Sequence, residues 1–492
     1  MHCPYAKGHY DRVNDAVYDL LQKSDFFTRD EILAQAEEFT VCPFEMSLDV
    51  ATWVDNIICD YNYVFDPNVR LKRFFQEGVK GKYAFLVDEA HNLVDRSREM
   101  YSAVLIKEQI MSVRRILKPI HKGLDKALEK CNKEMLSYKR ACETYQVHEG
   151  IGVLMFHLMR VASMLEEFLE KPQDFPEKKE VLDFYFELRN FLAIYELVDE
   201  HYVIYSQMDE DGQFMMKLFC VDPSENLQKC LDKGVSTVFF SATLLPVNYY
   251  KQLLSTKEDN YAIYAHSTFS NEQRLLLFGR DVSTKYTRRN AAEYEKIAKY
   301  IVTTVQGKKG NYMVFFPSYK LMQDVADVFR ELVDSDVTIF LQKSNMKEQE
   351  REEFLSAFEE EREGSMVAFC VMGGIFGEGI DLKNDRLIGA VIVGTGLPQI
   401  SNEREILKNY YDARGLSGFD YAFRYPGINK VLQAAGRVIR TNEDKGVILL
   451  LDERFLQSDY DLLYPREWSD RLVCRQGELE GYLRDFWGEI RA

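Results

Sequence analysis

Tyr83-Ala-Phe-Leu-Val-Asp-Glu-Ala-His91 decides how the rest of the chain reads. Strand-forming, largely apolar residues run straight into two adjacent carboxylates, Asp88 and Glu89, then a small residue and His91. A buried parallel strand that ends in acids sets them at the carboxyl edge of a sheet, where α/β proteins bind ligands. Nucleotide hydrolysis uses such a pair: one carboxylate to hold Mg²⁺, a second to position or deprotonate the attacking water. Four letters alone also describe a solvated strand end, so the surrounding sequence has to decide.

With 492 residues the chain exceeds what one hydrophobic core fills, and the length suggests about three domains. It contains neither an apolar run of about eighteen residues nor a basic-apolar leader, which predicts no membrane insertion and no secretion. Nine scattered cysteines without a disulfide framework suit a reducing compartment, so a cytoplasmic location is expected. The net charge of -17 argues against general nucleic-acid affinity but leaves room for a local basic groove. The 29 Tyr and 32 Phe supply core, with some available as stacking platforms for bases.

Two Cys-Pro pairs open the chain, Cys3-Pro4 and Cys42-Pro43. Between them residues 11–23 carry Val13, Val17, Leu20 and Leu21 at helical spacing, and Thr28-Arg-Asp-Glu31 reads as a capping box opening a second helix. Thiolates followed by Pro can hold an iron–sulfur cluster, although ordinary free cysteines are the simpler reading of spacing alone. After a helix, residues 56–59 read as a strand. Residues 101–205 turn to long amphipathic helices, with Ile110, Val113, Ile116 and Leu117 on one stripe and two longer stripes over 151–169 and 181–197. Lys118, Lys122, Lys126 and Lys130 recur at every fourth position, most simply as a solvated helix face. The α/β pattern returns at 235–240, a strand ending in Ser241-Ala-Thr243. Beyond Pro246, strands over 312–316, 337–341, 366–371, 390–393 and 447–451 alternate with helices and predict a second parallel sheet.

Two segments of this second unit look chemical. Four glycines fall within residues 373–379, and Asp381 follows; such density lets a ligand approach the backbone closely, though a plain tight turn fits too. In Gln433-Ala-Ala-Gly-Arg-Val-Ile-Arg440, a helix would set Gln433, Arg437 and Arg440 on one face. Two arginines and a glutamine so aligned would receive a γ-phosphate, with a structural salt-bridge helix as the alternative.

Taken together and in this order, the acid-ended strand, the Ser-Ala-Thr strand end, the glycine-rich loop and the Gln-x-x-Gly-Arg-x-x-Arg segment resemble superfamily-two helicases. Asp88-Glu-Ala-His91, and Gln433 to Arg440 running on to Leu450-Leu-Asp-Glu-Arg-Phe455, are similar to the XPD/DinG branch of iron–sulfur, DEAH-type, ATP-dependent DNA helicases. The resemblance covers essentially the whole chain, in an N-terminally shortened form. It implies an α/β fold of two RecA-like parallel-sheet motor domains, the first incomplete, with a helical arch insertion and a partial iron–sulfur domain. The implied boundaries are 1–50 for the end of the iron–sulfur domain, 51–100 and 206–245 for the first motor, 101–205 for the arch and 246–492 for the second motor.

The same resemblance implies roles for particular residues. Asp88 would bind Mg²⁺, Glu89 would activate water, and His91 would couple the site to the second motor. Ser241 and Thr243 would link hydrolysis to movement, while Gly379 and Asp381 would approach the nucleotide. Gln433, Arg437 and Arg440 would meet the γ-phosphate, and Ser318 and Tyr319 would lie near the DNA track. Cys3 and Cys42 would be two of four ligands to a 4Fe–4S cluster. The implied cofactors are ATP, Mg²⁺ and that cluster; the implied partner is single-stranded or forked DNA, bound by a monomer in repair or replication.

One departure stands out. No glycine-rich phosphate loop occurs: Gly81-Lys82 and Gly307-Lys-Lys309 lack the upstream glycine and the following Ser or Thr. As written, the chain is expected not to hold ATP tightly and to be inactive alone. A non-catalytic nucleic-acid-binding remnant or a regulator of a helicase is therefore the rival reading. A metal-dependent nuclease finds no ligand cluster beyond Asp88-Glu89.

Overall fold

The computed structural model describes residues 3–76, 81–171, 175–360, 362–374, 376, 382 and 386–488. Two compact units divide the chain, Met1–Val64 and Phe65–Ala492.

Three helices make the first unit: His9–Lys23, Arg29–Phe39 and Pro43–Val50. Their apolar faces meet in a core of Val13, Val17, Leu20, Ile32, Met46 and Val50. The expected capping box forms, with the Glu31 amide donating to Thr28 Oγ1 at 3.3 Å and the Thr28 amide to Glu31 Oε2 at 2.7 Å. The strand expected at 56–59 does not form. That stretch is irregular, and Ile58 is 97% exposed, because no neighbouring strand pairs with it.

In the second unit, strand β1 (Ala84–Val87) leads into helix His91–Met100. The region expected to be a helical arch carries strands as well, β2 (Ala103–Ile106), β3 (Tyr145–His148) and β4 (Tyr202–Met208), and β5 (Phe214–Cys220) follows it. They form an antiparallel sheet in the order β2-β5-β4-β3. Helices Lys107–Leu117, Lys122–Ala141, Gly152–Glu170 and Lys178–Tyr195 pack with it around one core that includes Leu128, Leu158, Leu188, Phe191 and Phe214. An arch boundary at 205/206 therefore cuts through β4; pairing with β5 extends this layer to Cys220. Lys118 caps the first of these helices while Lys122, Lys126 and Lys130 lie on the second, exposed, so the basic stripe is interrupted.

Strand β6 (Ser236–Phe239) returns to pair in parallel with β1, Leu86 opposite Val238 and Val87 opposite Phe239. The remaining strands are β7 (Arg274–Gly279), β8 (Asn311–Phe316), β9 (Thr338–Leu341), β10 (Met366–Val371), β11 (Gly389–Val393), β12 (Gly446–Leu451) and β13 (Leu472–Cys474). They build a parallel sheet in the order β13-β7-β12-β11-β8-β10-β9. Every residue of β11 and β12 is buried, as a parallel sheet covered on both faces demands. Met313, Phe315, Ala390 and Ile392 face one core; Tyr312, Val314, Phe316, Val391 and Val393 face the other. Helix Asn402–Asp412 ties this sheet's domain to the antiparallel layer, because Glu403 Oε1 accepts from Tyr205 Oη at 2.7 Å and from Lys217 Nζ at 2.5 Å.

Candidate functional site: a relay between the two parallel sheets

The parallel pairing of β1 with β6 brings two sequence-distant segments together. Past Val87 and Phe239 the two chains stay in step: the Phe240 amide donates to the Val87 carbonyl at 3.0 Å, and the Ala90 amide to the Phe240 carbonyl at 3.1 Å. Glu89 and Ser241 are thereby held side by side. Asp88 and Glu89 are both exposed at this strand end, and Asp88 Oδ1 accepts the Glu89 amide at 2.7 Å. Glu89 has φ of 46°, the left-handed region that a non-glycine residue seldom adopts and that clusters at functional sites.

His91 starts the following helix and is 6% exposed. Its Nδ1 lies 2.7 Å from Ser241 Oγ and 3.3 Å from Glu89 Oε2. Its Nε2 lies 2.5 Å from Nε2 of Gln433, 342 positions further along the chain. The Gln433 amide nitrogen can only donate, so His91 Nε2 accepts and the ring carries its proton on Nδ1. Nδ1 then donates to Ser241 Oγ, which also accepts the Thr243 amide at 3.2 Å, and the Ser241 hydroxyl donates to Glu89 Oε2 at 3.2 Å. Thr243, buried, has its hydroxyl 3.4 Å from that of Ser241. The donors thus run one way, from Gln433 to the Glu89 carboxylate.

Backbone contact between glycines sets where Gln433 reaches. Gly396, in the loop after β11, has φ of 68°, and a Cβ there would come within 2.5 Å of the Gly427 carbonyl oxygen. Gly427 lies in helix Tyr425–Ala435, which carries Gln433. The second sheet thereby fixes that helix against its own strand end.

The expectation that Gln433, Arg437 and Arg440 share one helix face is corrected here. The helix ends at Ala435 with Gly436 as its C-cap. Glycine and the β-branched Val438 and Ile439 that follow are poor helix residues, and Val438 is drawn into the core at 1% exposure. Asp444 Oδ2 then captures the amides of Arg440 and Thr441 at 2.6 and 2.7 Å, closing a loop. Arg437 is buried beside this turn and Arg440 is exposed on the loop.

Ser318 is the N-cap of helix Tyr319–Leu332, its Oγ accepting the Leu321 amide at 3.4 Å. Tyr319 Oη accepts from Gln342 Nε2 at 3.0 Å, and Gln342 Oε1 accepts the Val371 amide at 2.8 Å, so this corner of the sheet is tied together by side chains. Gly379 and Asp381 lie outside the described residues. In the first unit, Cys42 caps helix Pro43–Val50 and its amide donates to His9 Nδ1 at 3.2 Å, while Cys3 is exposed in the turn ahead of that histidine. Cys59, the remaining cysteine of this unit, is exposed. A four-iron cluster takes four thiolates, so the donors present do not complete its site.

Sequence reasoning missed Asp95, Tyr249, Arg404, Asn429 and Lys430, which line a cavity beside the His91–Gln433 contact. None sits in a recognisable motif, and only the folded chain brings them together.

Two lobes of α/β structure, bridged by a histidine at the start of the helix after an acid-ended strand and a glutamine on the other lobe, are similar to the superfamily-two helicase class. The chain's two ends resemble helicases of the DEAD_2 and XPD kind. The DEAD_2 family model matches residues 1–110, and that of the helicase C-terminal domain matches residues 301–471. The chain is 24% identical over 454 residues to ATP-dependent DNA helicase XPD of Sulfolobus acidocaldarius, covering 88% of this chain and 74% of that protein. It is 20% identical over 495 residues to ATP-dependent DNA helicase CHL1 of Candida albicans, covering 85% of this chain and 58% of that one. A solved XPD helicase structure superposes with a TM-score of 0.59 at 20% identity, over 92% of this chain and 80% of the other. The chain thus spans a little over half the length of the CHL1 relative. Among the described residues no helix is long and apolar enough to cross a membrane.

Proposed function

We propose that this chain is the motor portion of an ATP-dependent DNA helicase or translocase that couples ATP hydrolysis to movement on single-stranded or forked DNA, as a monomer, in repair or replication in the cytoplasm. The observation that carries this reading is the 2.5 Å contact between His91 and Gln433, which joins the acid-ended strand to the second sheet. Asp88 and Glu89 offer hard oxygen donors, exposed, at a strand's carboxyl edge, and this chemistry fits Mg²⁺ and a water awaiting deprotonation. A bound magnesium nucleotide would supply the bond to be cleaved and neutralise its developing charge. Glu89 would take the proton of the attacking water, and the relay through Ser241 and His91 would report that change of charge to Gln433. Arg437 and Arg440 would approach the phosphates from the loop after the helix, with Gly379 and Asp381 near the same cleft. Ser318 and Tyr319 would face the DNA track. Cys3 and Cys42 would furnish two ligands of an iron–sulfur cluster whose other donors come from elsewhere.

The rival reading, a non-catalytic nucleic-acid-binding remnant or helicase regulator, is favoured by one observation: these 492 residues contain no glycine-rich phosphate loop to cradle the β- and γ-phosphates. ATP turnover by the purified chain, with and without single-stranded DNA and beside Glu89→Gln, separates the two. DNA-stimulated turnover that vanishes in the variant supports the motor; DNA binding without turnover supports the regulator; loss of both sinks both.

A further inference from the structure

Helix His91–Met100 is bonded at both ends to the lobe that carries Gln433. His91, at its start, meets Gln433 itself. Arg98 follows two turns later, so it leaves the same face of the helix about 10 Å further along. There its Nη2 lies 3.5 Å from Tyr411 Oη, on helix Asn402–Asp412.

Arg98 is 4% exposed, and its guanidinium is used on every side. Nε donates to the Val221 carbonyl at 2.9 Å, one residue past the end of β5, and Nη1 donates to the exposed Asp95 at 2.9 Å. Tyr411, also buried, donates from Oη to the same Val221 carbonyl at 3.4 Å. The backbone joins in: Ser102 Oγ donates to the Arg98 carbonyl at 2.6 Å and accepts the Cys220 amide at 2.9 Å. Rings pack around the joint, with Tyr421 4.3 Å from Tyr411 and 5.2 Å from Tyr249 between centroids. Three separate parts of the molecule thus converge on one carbonyl oxygen: the helix that begins with His91, the end of the antiparallel sheet, and helix Asn402–Asp412.

The other end of helix Asn402–Asp412 returns to that sheet. Glu403 accepts from Tyr205 and Lys217, and Asn402 Nδ2 donates to Gln207 Oε1 at 2.7 Å. Burying a guanidinium is costly, and for packing alone an apolar residue of like size often serves as well. What an apolar residue lacks is a planar fork of donors aimed in fixed directions.

We propose that Arg98 is a positioning residue, the joint that keeps His91 in step with the antiparallel sheet. Movement at Gln433 then reaches β4 and β5 through one short helix, Arg98 and Tyr411. The joint stands on these contacts, while its use in transmitting a hydrolytic cycle rests on the motor reading.

Arg98→Lys keeps the charge and loses the fork, and the purified chain is read by heteronuclear NMR of the His91 imidazole and by amide hydrogen exchange. The ring nitrogens of His91 should shift, and exchange should speed up about tenfold in β5 and helix Asn402–Asp412 while β8, β11 and β12 keep the parent rate. Tyr411→Phe removes one hydroxyl and keeps the ring; it should move both readouts the same way by less, and it carries the test if Arg98→Lys does not fold. An unchanged His91 spectrum in the folded variant would overturn the proposal. So would exchange that rises equally in β8, β11 and β12, the mark of a general loss of stability. Neither readout uses ATP, so a parent chain without turnover would sink the motor reading and leave the joint standing.

Discussion

Gln433 Nε2 donates to His91 Nε2 across 2.5 Å, and that single contact fixes the histidine's tautomer for everything beyond it. With its proton on Nδ1, His91 can serve Ser241, and Ser241 can serve Glu89. Gln433→Glu replaces a donor by an acceptor. The expected outcome is a ring whose Nε2 now carries a proton, read by heteronuclear NMR of the His91 imidazole. A spectrum unchanged from the parent would mean that Gln433 does not orient the ring.

Glu89 is the carboxylate at the receiving end of the relay and the one held in a left-handed backbone. In any preparation that turns ATP over, Glu89→Gln keeps the shape but removes the base. Turnover should fall by about 10²–10⁴-fold while DNA binding, followed by fluorescence anisotropy, stays within about twofold. A variant that hydrolyses ATP at the parent rate would remove Glu89 from the chemistry.

How much of this could be read from the letters depended on distance along the chain. β8, β10, β11 and β12 were legible because strands buried on both faces are written as uninterrupted apolar runs. β7, Arg-Leu-Leu-Leu-Phe-Gly, is not legible in this way, since a short leucine run suits a helix as well as a strand. β4 and β5 mix Tyr, Met, Ser and Lys without clean alternation, so their pairing was invisible before the fold existed. The acids, His91, Ser241 and Gln433 were each nameable from sequence, but their order of donation was not, because tertiary packing alone sets it. The Arg437–Arg440 segment departs from helical spacing for a local reason: the helix stops at Gly436, and Asp444 captures the amides beyond it.

Asp452, fully buried, closes the end of β12 onto the loop after β7. It accepts from the Thr284 amide at 2.9 Å, Thr284 Oγ1 at 2.6 Å and Arg454 Nε at 2.8 Å. Burial works to raise its pKa, but Arg454, with Thr284, outweighs that and holds it below the usual 3.8. A carboxylate whose pKa falls on folding stabilises the fold fully above its unfolded value, and that contribution is lost as pH drops through the folded value. Asp452→Asn should therefore cost about 3 kcal/mol at neutral pH, because Arg454 keeps its charge in a mostly buried position. The gap between the two denaturation midpoints should narrow as the solution is acidified below the unfolded value; a gap independent of pH would exclude the ionised pair.

The last prediction concerns what aims Gln433 at His91. Gly396 and Gly427 touch through backbone atoms, with a Cβ on Gly396 meeting the Gly427 oxygen at 2.5 Å and a Cβ on Gly427 meeting the Thr395 oxygen at 2.9 Å. Gly396→Ala must push helix Tyr425–Ala435 away from the strand end and also bear the cost of a positive φ, together about 1–3 kcal/mol. Gly415 supplies the control, because it has φ of 76° yet nothing within 4 Å of its Cβ position. Gly415→Ala carries the backbone strain without the collision. If the glycine contact aims the relay, Gly396→Ala alone should change the His91 imidazole spectrum while Gly415→Ala lowers stability without touching it. Equal spectral changes in both would mean that strain spreads through the domain and that the contact has no directing role.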